Sequence, residues 1–210
     1  MNNSDSQASK GENNKQSEHK SQIFSHEEAV NSIIEDVKLG SGKTINREEA
    51  EKIFSAVNDY SYEDSSIIRE AYNNPNAPDE DRERMSILDD YINNSTKWEG
   101  TVYRGIHVSP EVANNIISQS KVDMLGPASW SSELDVAKRF SHDTNGDDSV
   151  SMIFVLPENK SGSSIAHISR YGAMECEVLA PSGVLYDIVD TQQIINGGKE
   201  YNYVYVDEAR

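Results

Sequence analysis

Apolar residues recur at helical spacing along the first part of the chain, from residue 23 to about residue 94. Ser25 and Glu28 have the spacing of a capping box, and the apolar side chains that follow share one helical face. Leu39-Gly40 is expected to end this helix, because glycine commonly follows a helical C-terminus. We interpret the apolar stripes of this part as ordinary packing core.

Three more helices are predicted before residue 95. One begins near Asn46 and carries Glu49 at its third position, which again suits a capping box. The next spans residues 67–72, and Asn74-Pro75 breaks the chain after it. The last begins near Asp79.

After Trp98 the pattern changes to short apolar runs separated by glycine and proline. Alternation over residues 101–107 predicts a strand, and Ser109-Pro110-Glu111 predicts the start of a helix. Helices followed by a strand-rich half indicate the α+β class. Further strands are predicted at 151–156, 164–168, 174–179, 184–189 and 201–206.

Composition limits the organisation of the chain and its partners. With 210 residues, it has room for one domain and a tail. Residues 1–22 are almost entirely polar and are expected to be a disordered tail, which leaves 23–210 as a single domain with a helical part (23–95) and a β-rich part (96–210). A net charge of −17 opposes nucleic-acid binding.

The lengths of the apolar segments and the number of cysteines allow further predictions about localisation and metal binding. No stretch is apolar enough to cross a membrane, and the N-terminus lacks the apolar core of a secretory signal. We therefore expect a soluble protein, delivered into a target cell without a cleavable signal peptide. The alternatives are the bacterial cytoplasm or a phage particle. Cys176 is the only cysteine and the five histidines are scattered, so we expect no metal.

The segment Val102-Tyr103-Arg104-Gly105-Ile106 is the first candidate for chemistry. An arginine within an apolar strand is costly to bury without an anionic partner, and its planar guanidinium suits a phosphate or carboxylate. Taken alone, the segment fits better an arginine on a strand edge that points to solvent.

The second candidate is Ser129-Trp130-Ser131-Ser132. Small hydroxyl side chains at the end of a strand can order polar groups in a cleft. Ser132 and Asp135 also have capping spacing, so helix capping explains this segment equally well when it is taken alone.

The third candidate is Glu175 and Glu177, which lie two residues apart where an apolar strand begins. If the chain is extended here, both carboxylates share one face and repel each other, so each favours a cationic neighbour or a raised pKa. The alternative is the solvent face of an edge strand.

In this order, Tyr-Arg-Gly, Ser-x-Ser and Glu-x-Glu-Val-Leu-x-Pro-x-Gly resemble the arginine–serine–glutamate class of mono-ADP-ribosyltransferases, which includes clostridial binary toxins and injected bacterial effectors. The resemblance runs from residue 23 to the C-terminus. It includes Asp59-Tyr60-Ser61-Tyr62, which is similar to the segment before the family's third helix. It implies a helical N-terminal lobe packed on a split β-sandwich, with NAD in the cleft between two sheets.

By this resemblance, Arg104 would grip an NAD phosphate and the backbone of Gly105 would hold the nicotinamide amide. Ser129 would line the nicotinamide pocket and orient the catalytic carboxylate, and Phe140 would pack on the nicotinamide ring. The NAD-binding residues so implied are Tyr103, Arg104, Gly105, Ser129, Ser131 and Phe140.

The resemblance also implies the catalytic and acceptor residues. Glu177 would be catalytic, and Glu175 would face the acceptor from the loop 172–174, with Tyr171 as an aromatic contact to the target. The implied protein is an enzyme that takes NAD as co-substrate, needs no metal and modifies an arginine of a target protein; a monomer is the default expectation. The catalytic residues so implied are Arg104, Ser129, Glu175 and Glu177.

These roles agree with the chemistry. Nicotinamide leaves as a neutral molecule, so the ribose develops positive charge that Glu177 can stabilise. An acceptor arginine is protonated at pH 7 and a poor nucleophile, so Glu175 can help to remove its proton. Two other interpretations stay open: an NAD glycohydrolase that transfers ADP-ribose to water, and an inactive relative that serves as a binding or structural module.

Two departures from the family pattern carry consequences. Trp130 replaces the middle threonine of the usual serine motif, and it would narrow the pocket if it pointed inward. Many relatives carry a second basic residue soon after the phenylalanine. Here the nearby candidates are Arg139, His142 and Lys138.

Overall fold

The structure, a computed structural model, describes residues 24–62, 65–142 and 149–209. The predicted polar tail, residues 1–22, lies outside the described residues. Within the described ranges, no helix has the length and apolar character needed to cross a membrane.

Among the described residues, four α-helices form the N-terminal lobe, as the sequence predicts. Both predicted capping boxes are present: Ser25 pairs with Glu28, and Asn46 pairs with Glu49. These caps satisfy backbone N–H groups that a helix start leaves without partners. The helices are α1 (His26–Ser41), α2 (Arg47–Ser61), α3 (Ser65–Glu70) and α4 (Asp79–Asn94).

Two predicted helix ends are wrong. Helix α1 continues past Gly40, and Gly42 ends it with a left-handed φ of 74°. Gly40 is needed for close approach, because a Cβ there would lie 2.3 Å from the backbone carbon of Ser95. Helix α3 ends at Glu70, so residues 71–72 belong to the following turn.

Eight strands follow, with two more helices between them. The helices are α5 (Pro110–Ser118) and α6 (Leu134–Phe140). The hydrogen-bonded strand order is β2-β7-β8-β4-β1-β3-β6-β5. The strands are β1 (Val102–Val108), β2 (Lys121–Asp123), β3 (Ala128–Ser131), β4 (Val150–Leu156), β5 (Ser163–Ser164), β6 (Glu177–Ala180), β7 (Leu185–Asn196) and β8 (Lys199–Glu208).

The sheet divides between β1 and β3, which are paired at Tyr103 and Ser131. One apolar core lies between the two parts and takes side chains from both, such as Phe154 of β4 and Val178 of β6. A second core joins the helical lobe to the β3-β6-β5 part through Leu179. This arrangement confirms the predicted α+β class and the helical lobe on a split β-sandwich.

The strand prediction at 164–168 is largely wrong, because only Ser163–Ser164 is extended. The chain then turns, with the N–H groups of Ile168 and Ser169 donating to the carbonyl of Ile165. Ile165 and Ile168 are buried in the helical-lobe core, so they are apolar because they pack against the helices. Strand β6 begins at Glu177 rather than 174, after a 3₁₀ turn at Gly172–Met174.

Gly105 allows α6 to lie directly across β1. A Cβ on Gly105 would lie 1.7 Å from the carbonyl oxygen of Ala137 in α6, a distance that no rotamer change relieves. Helix α6 is therefore fixed over the middle of β1, which places Phe140 at the edge of the cavity described next.

Candidate active site

A cavity of about 410 Å³ lies between the helical lobe and the sheet. This volume is typical of small-molecule sites. All the catalytic, NAD-binding and target-contact residues that the resemblance implies line it, although they come from five separate parts of the chain. These residues are Tyr103, Arg104, Gly105, Ser129, Ser131, Phe140, Tyr171, Glu175 and Glu177.

Strand pairing brings the three motifs together. Tyr103 of β1 is opposite Ser131 of β3, and Ser131 is opposite Glu177 of β6. The three residues form one row across three strands, so Arg104 lies one residue from that row. The sheet therefore joins segments that are more than 70 positions apart in the sequence.

Glu177 is an almost completely buried carboxylate, with 5% of its surface exposed. Its pKa is raised from 4.5 to about 7, mainly by burial and also by the charge of Glu175, while the neighbouring Ser129 hydroxyl and the charge of Arg104 oppose the change. Its Oε2 atom is buried and has no hydrogen-bond partner. Because Glu177 also lines the cavity, its carboxylate can accept a hydrogen bond from a hydroxyl of a bound molecule.

Tyr60 supports Ser129 from the helical lobe. Its hydroxyl donates to the carbonyl of Pro127 at 2.9 Å, and the Ser129 hydroxyl donates to the Tyr60 oxygen at 3.2 Å. Burial raises the pKa of Tyr60, so the phenol stays protonated and keeps this donor. Sequence reasoning noted Tyr60 within a family-like segment but gave it no role.

Two guanidinium groups face the cavity, from different lobes. Arg104 donates to the carbonyl of Ser129 at 2.5 Å; burial, together with the neighbouring charge of Arg69, lowers its pKa to about 10. It therefore stays protonated at neutral pH. Arg69 of α3 donates to the carbonyl of Met124 at 2.8 Å, and its Nε is buried without a partner. Two adjacent guanidiniums with free donors suit phosphate oxygens.

Sequence reasoning missed Arg69, since nothing in the helical pattern separates it from an arginine that faces solvent. The three basic residues nominated for the second phosphate contact are not among the residues that line the cavity. Arg139 donates to the carbonyl of Met174, His142 bonds the hydroxyl of Tyr201 at 2.6 Å, and Lys138 lies 3.4 Å from Asp135.

Glu175 reaches the cavity by a route that the sequence did not predict. The chain is not extended between the two glutamates: Glu175 is helical, with φ of −106° and ψ of −14°, and Cys176 has a left-handed φ of 45°. Both residues nevertheless line one cavity. Partial burial raises the pKa of Glu175, and the charge of Arg139 opposes this effect.

Trp130 is among the residues that line the cavity, but its side chain is packed into the core. Its side chain is 2% exposed and belongs to the core between the two parts of the sheet, with its ring 5.3 Å from that of Tyr186. Ser129 and Ser131 take the opposite face of β3, as strand alternation requires. An apolar residue is therefore suited to the middle position of the serine motif.

The cavity mouth is aromatic. Phe140 is 52% exposed and Tyr62 is 47% exposed, although large aromatic side chains are usually buried. The guanidinium of Arg170 lies 3.9 Å from the centre of the Tyr62 ring. Within the described ranges, no cluster of three or more histidine, cysteine or acidic residues could hold a metal ion.

No known family model matches the sequence, and no curated protein is significantly similar to it. Solved structures do match. Vis toxin, an ADP-ribosyltransferase from Vibrio splendidus, superposes with a TM-score of 0.61 at 22% identity, over 92% of this chain and 90% of its own. An ADP-ribosyltransferase toxin from Paenibacillus larvae gives 0.60 at 18% identity, over 86% and 96%.

An ADP-ribosyltransferase from Clostridium botulinum superposes with a TM-score of 0.57 at 15% identity, over 89% of this chain and 98% of its own. The agreement covers nearly the full length of each of these three chains. The chain therefore has the fold of the bacterial ADP-ribosyltransferase toxins.

Proposed function

We propose that this protein is a mono-ADP-ribosyltransferase, which cleaves NAD at the nicotinamide–ribose bond and transfers ADP-ribose to an arginine of a target protein. One observation carries the proposal. The guanidinium of Arg104 and the carboxylate of Glu177, far apart in sequence, line the same cavity in a fold shared with ADP-ribosyltransferases.

The cavity offers the complementary groups that NAD requires. Arg104 and Arg69 supply positive charge and donors for the two phosphates, and the buried Nε of Arg69 has no protein partner. The buried Oε2 of Glu177 is an unused acceptor that suits a ribose hydroxyl. Phe140 provides an exposed aromatic surface beside them for the nicotinamide ring.

Glu177 is suited to stabilise the transition state. Positive charge develops on the ribose as neutral nicotinamide leaves, and an ionised carboxylate in a dry site interacts with that charge more strongly than in water. Ser129 lies beside the carboxylate and is itself bonded to Tyr60 of the helical lobe. Because burial disfavours the ionised form of Glu177, the positive charge of bound nicotinamide would promote its ionisation.

Glu175 favours arginine as the acceptor. It is half-buried at the same cavity, so it can hold a guanidinium close to the reacting carbon and help to remove its proton during attack. A solved structure of Vis contains agmatine, a small guanidine compound, which agrees with this choice of acceptor. Tyr171 lines the same cavity and is our candidate for contact with the target protein.

We further propose that residues 23–210 form the catalytic domain and that the protein acts as a monomeric toxin or effector in a target cell. The toxin identity of the structural neighbours supports this setting. The NAD glycohydrolase alternative shares the same cavity and differs only in the acceptor.

The test combines the purified protein with labelled NAD and with either agmatine or a mixed cell extract. Transfer of label to agmatine and to a protein band, lost in Glu177→Gln, supports the proposal. Nicotinamide release without transfer to any acceptor would favour the glycohydrolase. Intact NAD with the wild-type protein would overturn both. The matched variant Glu175→Gln should lose transfer while it keeps nicotinamide release.

A further inference from the structure

Three successive backbone carbonyls are held just before β6. The guanidinium of Arg139 donates to the carbonyl of Met174 at 3.0 Å, and the hydroxyl of Ser131 donates to that of Glu175 at 2.7 Å. The N–H of Ser132 donates to the carbonyl of Cys176 at 3.1 Å. The turn that carries Glu175 is thus fixed from outside at each of its last three residues.

These contacts hold the backbone of the turn in a strained conformation. Cys176 has a φ of 45°, a left-handed conformation that is unfavourable for a residue with a side chain. Such conformations persist where surrounding contacts determine them. Without the contacts, the turn can relax toward the extended chain, which would reorient Glu175 relative to Glu177.

Arg139 differs from the other two groups because it reaches the turn from α6. The same helix carries Phe140 at the cavity edge and is fixed over β1 at Gly105. Arg139 therefore links the helix beside the proposed nicotinamide site to the turn beside the proposed acceptor site. Its positive charge also favours the ionised form of Glu175.

We propose that Arg139 is a positioning residue, which holds the turn Gly172–Met174 so that Glu175 meets the acceptor and which nicotinamide release does not require. This inference rests on the proposed function. It assigns Arg139 to the acceptor side of the reaction, and not to the NAD phosphates for which the family pattern makes it a candidate.

The test measures two rates on the full chain: nicotinamide release without an acceptor, and transfer of ADP-ribose to agmatine. Arg139→Met should lower transfer by about 10- to 100-fold, the loss expected for one hydrogen bond from a charged donor, and leave release within about twofold. Arg139→Lys should recover part of the transfer. Lys138→Met, on the same helix and paired with Asp135, should change neither rate.

A second measurement reports on the turn without relying on activity. Amide hydrogen exchange at residues 172–176 should be faster in Arg139→Met than in the wild type, and unchanged in Lys138→Met. If Arg139→Met loses nicotinamide release and transfer equally, or if its KM for NAD is higher than that of the wild type, the assignment of Arg139 to the acceptor side is overturned. A wild-type protein that releases no nicotinamide would overturn the proposed function itself.

Discussion

Ser131 of β3 lies directly opposite Glu177 of β6, and its hydroxyl donates to the carbonyl of Glu175. Ser131 is thus paired in register with Glu177, and it holds the backbone of Glu175 by a hydrogen bond. The two glutamates owe their common cavity to this strand pairing and to the turn between them. The site therefore depends on the packing of β3 against β6 as much as on its charged groups.

The buried carboxylate of Glu177 should destabilise the protein as pH rises. Its pKa is raised from 4.5 to about 7, so the folded state binds the proton more tightly than the unfolded state. The tighter binding of this proton stabilises the folded state; the stabilisation is complete below pH 4.5 and is lost as pH rises through about 7. The difference between these pKa values corresponds to about 3 kcal/mol.

Glu177→Gln does not titrate at this position, so its stability relative to the wild type should increase by about 3 kcal/mol between about pH 4 and pH 8. Urea denaturation of both proteins at several pH values measures this. A difference that stays constant with pH would show that Glu177 titrates normally in the folded protein.

The rate of nicotinamide release should depend on the ionisation of the same group. At NAD concentrations far below KM, the rate reports the free enzyme, so it should rise about tenfold per pH unit below 7 and level off above it. The rate in Glu175→Gln should keep an inflection, since Glu177 remains, and the inflection should move to lower pH because the charge of Glu175 no longer raises the pKa of Glu177. A flat profile from about pH 5 to 8 would contradict this role of Glu177.

Arg69 should bind NAD although the sequence did not single it out. Arg69→Met removes a charged donor whose Nε has no protein partner, and NAD affinity should fall about 10- to 100-fold. Calorimetric titration measures this, and Arg82→Met, a surface pair with Asp79 on α4, is the control. Equal affinity of wild type and Arg69→Met would exclude a phosphate contact.

Trp130 and Phe140 should respond in opposite ways to truncation. Trp130→Ala removes a core side chain and should cost about 3–5 kcal/mol of stability, with little change in KM for NAD. Phe140→Ala removes an exposed side chain at the cavity edge, so it should raise KM with little loss of stability. Urea denaturation of both variants measures their stability, and steady-state kinetics measure their KM for NAD. A raised KM in Trp130→Ala, or an unchanged KM in Phe140→Ala, would contradict the assignment of that residue.

The sequence by itself determined the class of fold, the helical lobe with its two capping boxes, and the nine nominated residues that line the cavity. Local signals carry this information. Caps act within one helical turn, and Tyr-Arg-Gly, Ser-Trp-Ser and Glu-Cys-Glu are short segments. Helix ends were less certain: Gly40 serves a contact with Ser95, which no local pattern reveals.

Only the tertiary structure decided what depends on neighbours distant in sequence. Arg69 of α3 lines the cavity near Arg104 of β1, and Trp130 is a core residue because Tyr186 lies against it. Glu175 faces the cavity because Arg139, Ser131 and Ser132 hold a turn that the chain would not adopt alone. The pKa of Glu177 likewise depends on burial, which arises only when the lobes pack together.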